Sequence, residues 1–366
     1  MRHAFAKSTV ALGVVLGMLL PAQPASAVSR EFFGIDPSSV PSEAEFETMG
    51  AGRVGTYRFQ LFWPTIQPSP GGAYDWTVPD HQVENAAVNG IELLPVPYGS
   101  PPFAASEFRI PPLGSPEARQ AWQQFLQATV ERYGPGGEFW AQFQLEHPGA
   151  APRPIKEIQI WNEVNSPKYY QPKPSVKEYA ELLEISSEAI SSSDPNAKIL
   201  IGGMFGTPST EGAIYSWKYL RRLYDVKGIK KHFDAVALHP YSPNLSGIEA
   251  QIELAREQMK KAGDRRTPVW VTEIGWGSAG TKGNQLIKTP QEQAKLLKKS
   301  FKMLLKQKRK YKLKRVLWFT WKDPDDPDAD DFSGAPCLWC SSAGLFDKDL
   351  TPKPAWDEYR KFTGAA

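Results

Sequence analysis

The sequence Ile-Gln-Ile-Trp-Asn-Glu-Val-Asn, residues 158–165, joins an apolar run to an abrupt polar end. A short apolar run that stops in this way predicts a buried β-strand. Glu163 would then lie at the C-terminal tip of that strand. Carboxylates at such tips are typical of sites built at the carboxyl edge of parallel strands.

A second segment of the same kind, Val-Trp-Val-Thr-Glu-Ile-Gly-Trp, occupies residues 269–276 and places Glu273 at a second tip. Two strand-end carboxylates on one rim suit cleavage of a glycosidic bond, because one carboxyl can transfer protons while the other attacks the sugar. The alternative is a pair of unrelated glutamates that cap nearby loops.

Between and around these segments, apolar strand-like runs alternate with amphipathic helical stretches. The alternation predicts an α/β protein with a single (β/α)8 TIM barrel over residues 28–366. An open doubly wound sheet is less favoured, because the first strand ends in Gly34-Ile35-Asp36-Pro37 without a glycine-rich phosphate loop. The eight strand candidates are Phe32–Asp36, Arg53–Gln60, Ile91–Pro97, Ile155–Glu163, Ala197–Gly203, Phe233–His239, Pro268–Ile274 and Arg315–Trp321.

The helical stretches are punctuated by capping residues. Pro116 and Pro290 suit first turns, and Ser115 and Thr289 precede them as N-caps. The predicted helices are Glu43–Met49, Pro79–Asn89, Pro116–Tyr133, Ser175–Ser192, Ala213–Tyr224, Gly247–Ala262 and Pro290–Arg309, with a last helix from Pro354.

Taken together, Trp161-Asn162-Glu163, Thr272-Glu273-Ile274-Gly275 and the eight-unit layout resemble the clan A glycoside hydrolases, the 4/7 superfamily. Residues 238–241 (Leu-His-Pro-Tyr) and the C-terminal residues 344–355 are most similar to family 39-type and family 5-type members. The resemblance covers nearly all of residues 28–366. It implies a retaining β-glycosidase that works by double displacement, without a cofactor or a metal.

The resemblance also implies roles for the two glutamates. Glu163, on the fourth strand, would be the acid/base, which must be protonated for the first step and ionised for the second. Glu273, on the seventh strand, would be the nucleophile, and the two carboxyls of retaining enzymes lie about 5–5.5 Å apart.

Four further residues gain expected roles from the same resemblance. Asn162 would bind the sugar 2-hydroxyl, or it forms a turn. Arg58 would hold the nucleophile ionised, or it makes a surface ion pair. Tyr241 is the expected hydrogen-bond donor to Glu273, and His239 would line the same subsite.

Aromatic side chains are candidate sugar platforms, because sugar rings pack on flat faces. Trp318 and Trp321 end the eighth strand, and Trp321 is preferred as the floor because it lies nearer the tip. Trp276, Tyr98 and Trp63 are candidates for outer subsites. For each of them, packing in the core is the alternative.

The N-terminus predicts export. Arg2, His3 and Lys7 precede the apolar run Val10–Leu20, and residues 25–27 (Ala-Ser-Ala) form a small-residue cleavage site. We expect residues 1–27 to be removed as a secretory signal peptide, leaving a secreted monomer with no membrane contact; an uncleaved anchor is the alternative. Removal of residues 1–27 would lower the net charge from +3 to about +1, which gives no case for nucleic acid as a partner.

The only two cysteines, Cys337 and Cys340, are expected to form a short disulfide after export. The acidic loop at residues 323–331 and the basic stretch at residues 295–315 are each read as a solvated surface, with calcium binding and contact with an anionic polymer as the alternatives.

The predicted substrate is a β-linked polysaccharide or oligosaccharide. The long loops Tyr98–Ser115 and Gly134–Pro154 would wall a cleft for internal cutting or close a pocket for terminal cutting, and we favour the cleft. A transglycosylase and a non-catalytic sugar-binding barrel are the other readings.

Overall fold

The computed structural model of the protein describes residues 1, 29–280, 283–326 and 337–365. Residues 2–27 of the predicted signal peptide therefore lie outside the described residues, and so does most of the acidic loop. Within the described residues, no helix has the length and apolar character needed to cross a membrane.

Eight parallel β-strands confirm the predicted TIM barrel. The sheet order is β3-β2-β1-β8-β7-β6-β5-β4, and β3 lies beside β4, so the sheet closes on itself apart from that seam. The strands are β1 (Phe33–Asp36), β2 (Thr56–Phe62), β3 (Glu92–Tyr98), β4 (Glu157–Asn162), β5 (Lys198–Phe205), β6 (Ala235–His239), β7 (Val269–Val271) and β8 (Leu313–Phe319).

Helices connect the strands around the outside of the barrel. Ser115 and Thr289 are N-caps as predicted, since their side chains accept hydrogen bonds from the backbone N–H groups of Ala118 and Glu292. The helices are α1 (Glu43–Ala51), α2 (Trp63–Ile66), α3 (Thr77–Val88), α4 (Pro116–Tyr133), α5 (Glu138–Glu146), α6 (Val176–Ser193), α7 (Ser216–Tyr224), α8 (Leu245–Lys261), α9 (Pro290–Tyr311) and α10 (Pro354–Thr363).

One predicted loop is partly helical. The segment Gly134–Pro154 contains α5, whose Trp140 and Phe143 are buried against the core. The sequence did not predict this helix because its short, mostly apolar stretch carries no strong capping signal. Its N-cap residue is Gly137, which has no side chain to accept a hydrogen bond.

The lower part of the barrel interior is filled by side chains. Trp270 packs with a small apolar cluster that includes Leu94, Leu200 and Leu317. The Arg315 guanidinium lies 4.8 Å from the centre of the Trp270 ring and donates to Thr56 Oγ1. Because this layer closes the barrel from below, open space remains at the C-terminal ends of the strands.

Candidate active site

A cavity of about 1000 Å³ lies at the C-terminal ends of the strands. Both predicted carboxylates, Glu163 and Glu273, line it. Its described wall includes residues 36–40, 57–60, 62, 65–66, 207–210, 241–243 and 284–286, together with residues 78, 79 and 82. The loops Tyr98–Ser115 and Gly134–Pro154, which were expected to wall the cleft, contribute no described residue to it.

The backbone at the end of β4 turns two consecutive side chains into the cavity. Along a regular strand, neighbours point to opposite faces. Here Trp161 and Glu163 take φ angles of 68° and 41°, and Trp161 drops out of the register between β4 and β5. Asn162 and Glu163 therefore both line the cavity. Left-handed backbone at non-glycine residues is costly, and such residues cluster at functional sites.

Glu273 follows β7 and is only 7% exposed. Arg58 Nη1 donates to its Oε1 at 2.8 Å, and the Tyr241 hydroxyl donates to its Oε2 at 2.9 Å. Burial raises the pKa of Glu273 above the ordinary glutamate value, and the Arg58 charge and the Tyr241 hydrogen bond pull that pKa back down. The predicted contacts of Arg58 and Tyr241 with Glu273 are therefore both present in the structure.

The two glutamates lie close together. One carboxylate oxygen of Glu163, one of Glu273 and a ring nitrogen of His239 all lie within 4.8 Å of one another. Inverting enzymes separate their carboxyls by about 6.5–9.5 Å to leave room for a water molecule. The two carboxylate oxygens here lie closer together than that range.

His239 is fully buried between the two carboxyls. Its Nδ1 lies 2.9 Å from Glu163 Oε1, and its Nε2 lies 3.2 Å from Glu273 Oε1 without the alignment of a hydrogen bond. Burial and the Arg58 charge hold the pKa of His239 well below its ordinary value, so the ring is neutral. A Cβ at Gly203, on β5, would stand 2.0 Å from His239 Nε2, so this position must be glycine.

Arg58 connects three of the site residues and is 2% exposed. In addition to Glu273, it donates through Nη2 to Asn162 Oδ1 at 2.7 Å and through Nη1 to Asp36 Oδ2. Asp36 ends β1 and was not among the predicted site residues. Its signal was present in the sequence, since Gly34-Ile35-Asp36 is also an apolar strand with a carboxylate at its tip.

A family comparison agrees with this geometry. The family model described as glycosyl hydrolase catalytic core matches residues 117–334, more than half of the chain. The chain belongs to this family. Its barrel and its paired carboxylates are thus those of a glycosyl hydrolase catalytic core.

Solved structures with similar folds include several glycoside hydrolases. A family 39 glycoside hydrolase from Bacteroides cellulosilyticus WH2 has a TM-score of 0.65 at 19% identity, over 92% of this chain and 64% of its own. A monomeric beta-xylosidase from Caulobacter crescentus CB15 has a TM-score of 0.62 at 17% identity, over 91% and 68%. GH5_18 from Streptomyces cattleya, in complex with GlcNAc, has a TM-score of 0.65 at 15% identity, over 91% and 79%.

The match covers 64% of the family 39 enzyme, so this glycosyl hydrolase core spans less than two thirds of the length of that protein. No protein of curated function matches the sequence.

The five aromatic residues expected to hold sugar are packed in the core of the glycosyl hydrolase and do not line the described cavity wall. Trp321 donates to Glu45 Oε1 and packs on Phe346, and Trp318 donates to the Ala343 carbonyl. Each of the other three is fully buried against neighbouring aromatic rings or backbone carbonyls; they are Trp276, Tyr98 and Trp63. The structure thus shows the alternative, packing in the core, for these five residues. For Trp318 and Trp321 the reason is that distance from the strand tip does not say which face a side chain takes.

Other aromatic side chains line the cavity instead. Phe319, the last residue of β8, faces it, and Trp339 lies 4.7 Å from the Tyr241 ring, centre to centre. Cys337 and Cys340 form a disulfide that brackets Trp339, and both cysteines belong to the wall. Nothing in the local pattern distinguishes Trp339 from a core tryptophan, because its position depends on the fold of the loop after β8.

Among the described residues, two clusters of side chains could hold a metal ion: a partly exposed one of Glu84, Glu146 and His147, and the buried one of Glu163, His239 and Glu273 at the site. The Arg58 guanidinium already neutralises Glu273 at 2.8 Å, and a divalent cation would have to bind beside this charge. The donor set therefore suits proton transfer and nucleophilic attack better than metal binding.

Proposed function

We propose that this glycosyl hydrolase core is a retaining β-glycosidase that cuts a β-linked polysaccharide internally. The observation that carries the proposal is the pair of buried carboxylates whose oxygens lie within 4.8 Å of each other. At that spacing, one carboxylate reaches the anomeric carbon while the other reaches the departing oxygen.

In the first step, a Glu273 oxygen bonds to the anomeric carbon as the glycosidic C–O bond breaks, and the proton of Glu163 passes to the departing oxygen. Arg58 and Tyr241 orient Glu273 through their hydrogen bonds at 2.8 and 2.9 Å. Asn162, fixed by Arg58, presents its amide to the sugar bound beside Glu163. A contact to the 2-hydroxyl at this place strengthens in the transition state.

In the second step, water attacks the anomeric carbon and gives a proton to Glu163, and the bond between the sugar and Glu273 breaks. The neutral ring of His239, 2.9 Å from Glu163 Oε1, provides a hydrogen-bond partner for either protonation state of that carboxyl. The anomeric configuration is retained, because each step inverts it once.

Internal cutting is favoured by the size and the walls of the cavity. About 1000 Å³ is the upper end of the range for small-molecule sites, so several sugar units fit. The walls come from loops after β1 and β2 on one side and after β5 and β7 on the other. A similarly folded exo-beta-1,4-mannosidase from Opitutaceae bacterium strain TAV5 favours the second candidate, an exo-acting enzyme on the same carboxylates.

The test is a panel of β-linked polysaccharides and aryl β-glycosides, with the products sized by mass spectrometry. Glu163→Gln is the comparison variant, inactive on the polysaccharides and less impaired on activated aryl glycosides, and Glu188→Gln, on the exposed face of α6, is the matched control. Oligosaccharides from one polymer support internal cutting, and single sugars alone support exo action. Binding without cleavage would support the sugar-binding barrel. Products with more sugar units than the substrate would support transglycosylation.

The nucleophile has its own test. Glu273→Ala should abolish hydrolysis, and added azide should restore turnover with an inverted glycosyl azide as the product. Full activity of this variant would refute the assignment.

We also propose that the protein is secreted after cleavage before Val28, on the basis of the residue 25–27 cleavage pattern. The test is to express the full chain in an exporting host and to sequence the N-terminus of the protein recovered from the medium and from the cells. A chain in the medium that begins at Val28 supports the proposal, and a chain that stays in the cells and still begins at Met1 contradicts it.

A further inference from the structure

A third buried carboxyl stands next to the proposed nucleophile. Asp36, at the end of β1, is 6% exposed and lines the same cavity. Arg58 Nη1 donates both to Asp36 Oδ2 and to Glu273 Oε1, so one nitrogen joins the two acids. The carboxyls of Asp36 and Glu273 are also within hydrogen-bonding reach of each other.

The charges around Asp36 do not balance if both acids are ionised. The ionisable groups that face it are Arg58 from β2, Tyr57 from the same strand, Tyr241 from the end of β6 and Glu273 from the end of β7. Burial holds both tyrosines neutral by raising their pKa values. One guanidinium then faces two carboxyls, and two like charges at this distance in a buried site favour protonation of one of them.

The hydrogen bonds favour Asp36 over Glu273 as the group that takes the proton, because Glu273 accepts from both Arg58 and Tyr241 while Asp36 accepts from Arg58. Burial raises its pKa well above the ordinary aspartate value, and the charge of Glu273 raises it further. Glu273, in contrast, receives hydrogen bonds from Arg58 and Tyr241, which favour its ionised form. A carboxyl pair in contact then consists of one acid that donates and one carboxylate that accepts.

We propose that Asp36 keeps its proton in the free enzyme and donates a hydrogen bond to Glu273, as a positioning residue for the nucleophile. The inference rests on the proposed role of Glu273. It gives that carboxylate a third donor besides Arg58 and Tyr241, and it leaves the guanidinium charge to balance Glu273.

The proposal makes Asp36→Asn the informative variant. A protonated aspartic acid and an asparagine present the same pattern, namely one oxygen that accepts from Arg58 and one hydrogen that donates to Glu273. An ionised aspartate has no hydrogen to donate. Asn should therefore preserve function if Asp36 is protonated, and it should fail if Asp36 acts as a negative partner for Arg58.

We expect Asp36→Asn to stay within about threefold of the wild-type kcat/KM and Asp36→Ala to lose roughly ten- to hundredfold, as for a lost hydrogen bond to a charged group. In the alanine variant, the acidic limb of the kcat/KM profile should move to higher pH, because Glu273 loses a donor that lowers its pKa. Asp264→Asn and Asp264→Ala, in the loop before β7 at the opposite end of the barrel, are the matched controls and should leave both kcat/KM and the limb unchanged.

Two kinetic outcomes would overturn the proposal. Equal losses for Asp36→Asn and Asp36→Ala would make Asp36 an ionised partner of Arg58. If the loss of kcat/KM in Asp36→Ala is accounted for by a lower melting temperature, and the acidic limb does not move, the residue has a structural role only.

A measurement without catalysis separates this inference from the proposed function. In protein labelled with 13C at the aspartate side-chain carboxyl, NMR at neutral pH should show a protonated carboxyl signal that Asp36→Asn removes. In Glu273→Gln, where the neighbouring charge is gone, that signal should ionise at lower pH. An ionised Asp36 signal in the wild type would refute the inference even if hydrolysis is found, and a protonated signal would support it even if no substrate in the panel is cut.

Discussion

Replacing Tyr241 with phenylalanine removes one atom from the site and tests whether Glu273 depends on its donors. The Tyr241 hydroxyl donates to Glu273 Oε2 at 2.9 Å, and its ring packs on Phe205 and Trp339, contacts that phenylalanine keeps. A hydrogen bond to a charged, buried acceptor contributes about 1.5–3 kcal/mol. If the developing bond at Glu273 requires that orientation, kcat/KM should fall by roughly 10- to 150-fold.

The assay is the pH profile of kcat/KM on an aryl β-glycoside. Since donation by Tyr241 favours ionised Glu273, its loss raises the pKa of Glu273 and should move the acidic limb to higher pH. Tyr224→Phe, which removes a hydroxyl bonded to Asp264 at 2.8 Å far from the cavity, is the matched control. A loss below about threefold with an unmoved limb would refute this account of the nucleophile.

Four further outcomes are expected. Glu163→Gln should lose about 10²–10⁴-fold on substrates with poor leaving groups and much less on activated aryl glycosides, which need no protonation; equal losses on both would contradict acid catalysis. Trp339→Ala should raise KM for the polymer by roughly 2- to 13-fold, as for an aromatic contact of 0.5–1.5 kcal/mol, and leave small aryl glycosides unaffected. Trp321→Phe should lower the free energy of unfolding by about 1–3 kcal/mol, because it removes the hydrogen bond from the indole N–H to Glu45. A changed KM in this variant would instead indicate that Trp321 contacts the sugar. Because folding raises the pKa of Asp36, the contribution of Asp36 to stability falls as the pH rises above its ordinary pKa of 3.8. Asp36→Asn does not titrate, so its free energy of unfolding should rise relative to that of the wild type by up to about 1.4 kcal/mol per pH unit, as measured by unfolding at several pH values.

The strand pattern could be read from the sequence because each barrel strand is a short apolar run between capped helices. Ser115 and Thr289 cap α4 and α9 through hydrogen bonds to residues three positions later. These two helix starts can therefore be predicted without knowledge of distant contacts. The helix α5 was missed because it is stabilised by burial of Trp140 and Phe143, and burial is a tertiary property.

The candidate site divides in the same way. Glu163 and Glu273 could be found because each ends an apolar strand and acidic residues at such ends are uncommon without a purpose. The sugar-facing aromatics could not be found. Trp318 and Trp321 occupy the expected end of β8, yet Phe319 faces the cavity and Trp339 reaches it from a later loop.

By itself, the sequence determined the alternation of strands and helices and the two acidic strand tips, since these depend on residue type and period. Tertiary structure alone decided that Arg58 joins Asp36 to Glu273, since Arg58 and Glu273 are 215 positions apart in the sequence. It also decided that His239 stands between both glutamates, which requires glycine on the neighbouring strand. The physical reason is that pairwise charge and hydrogen bonding act over a few ångströms, and only closure of the barrel brings the ends of β1, β2, β4, β6 and β7 within that range.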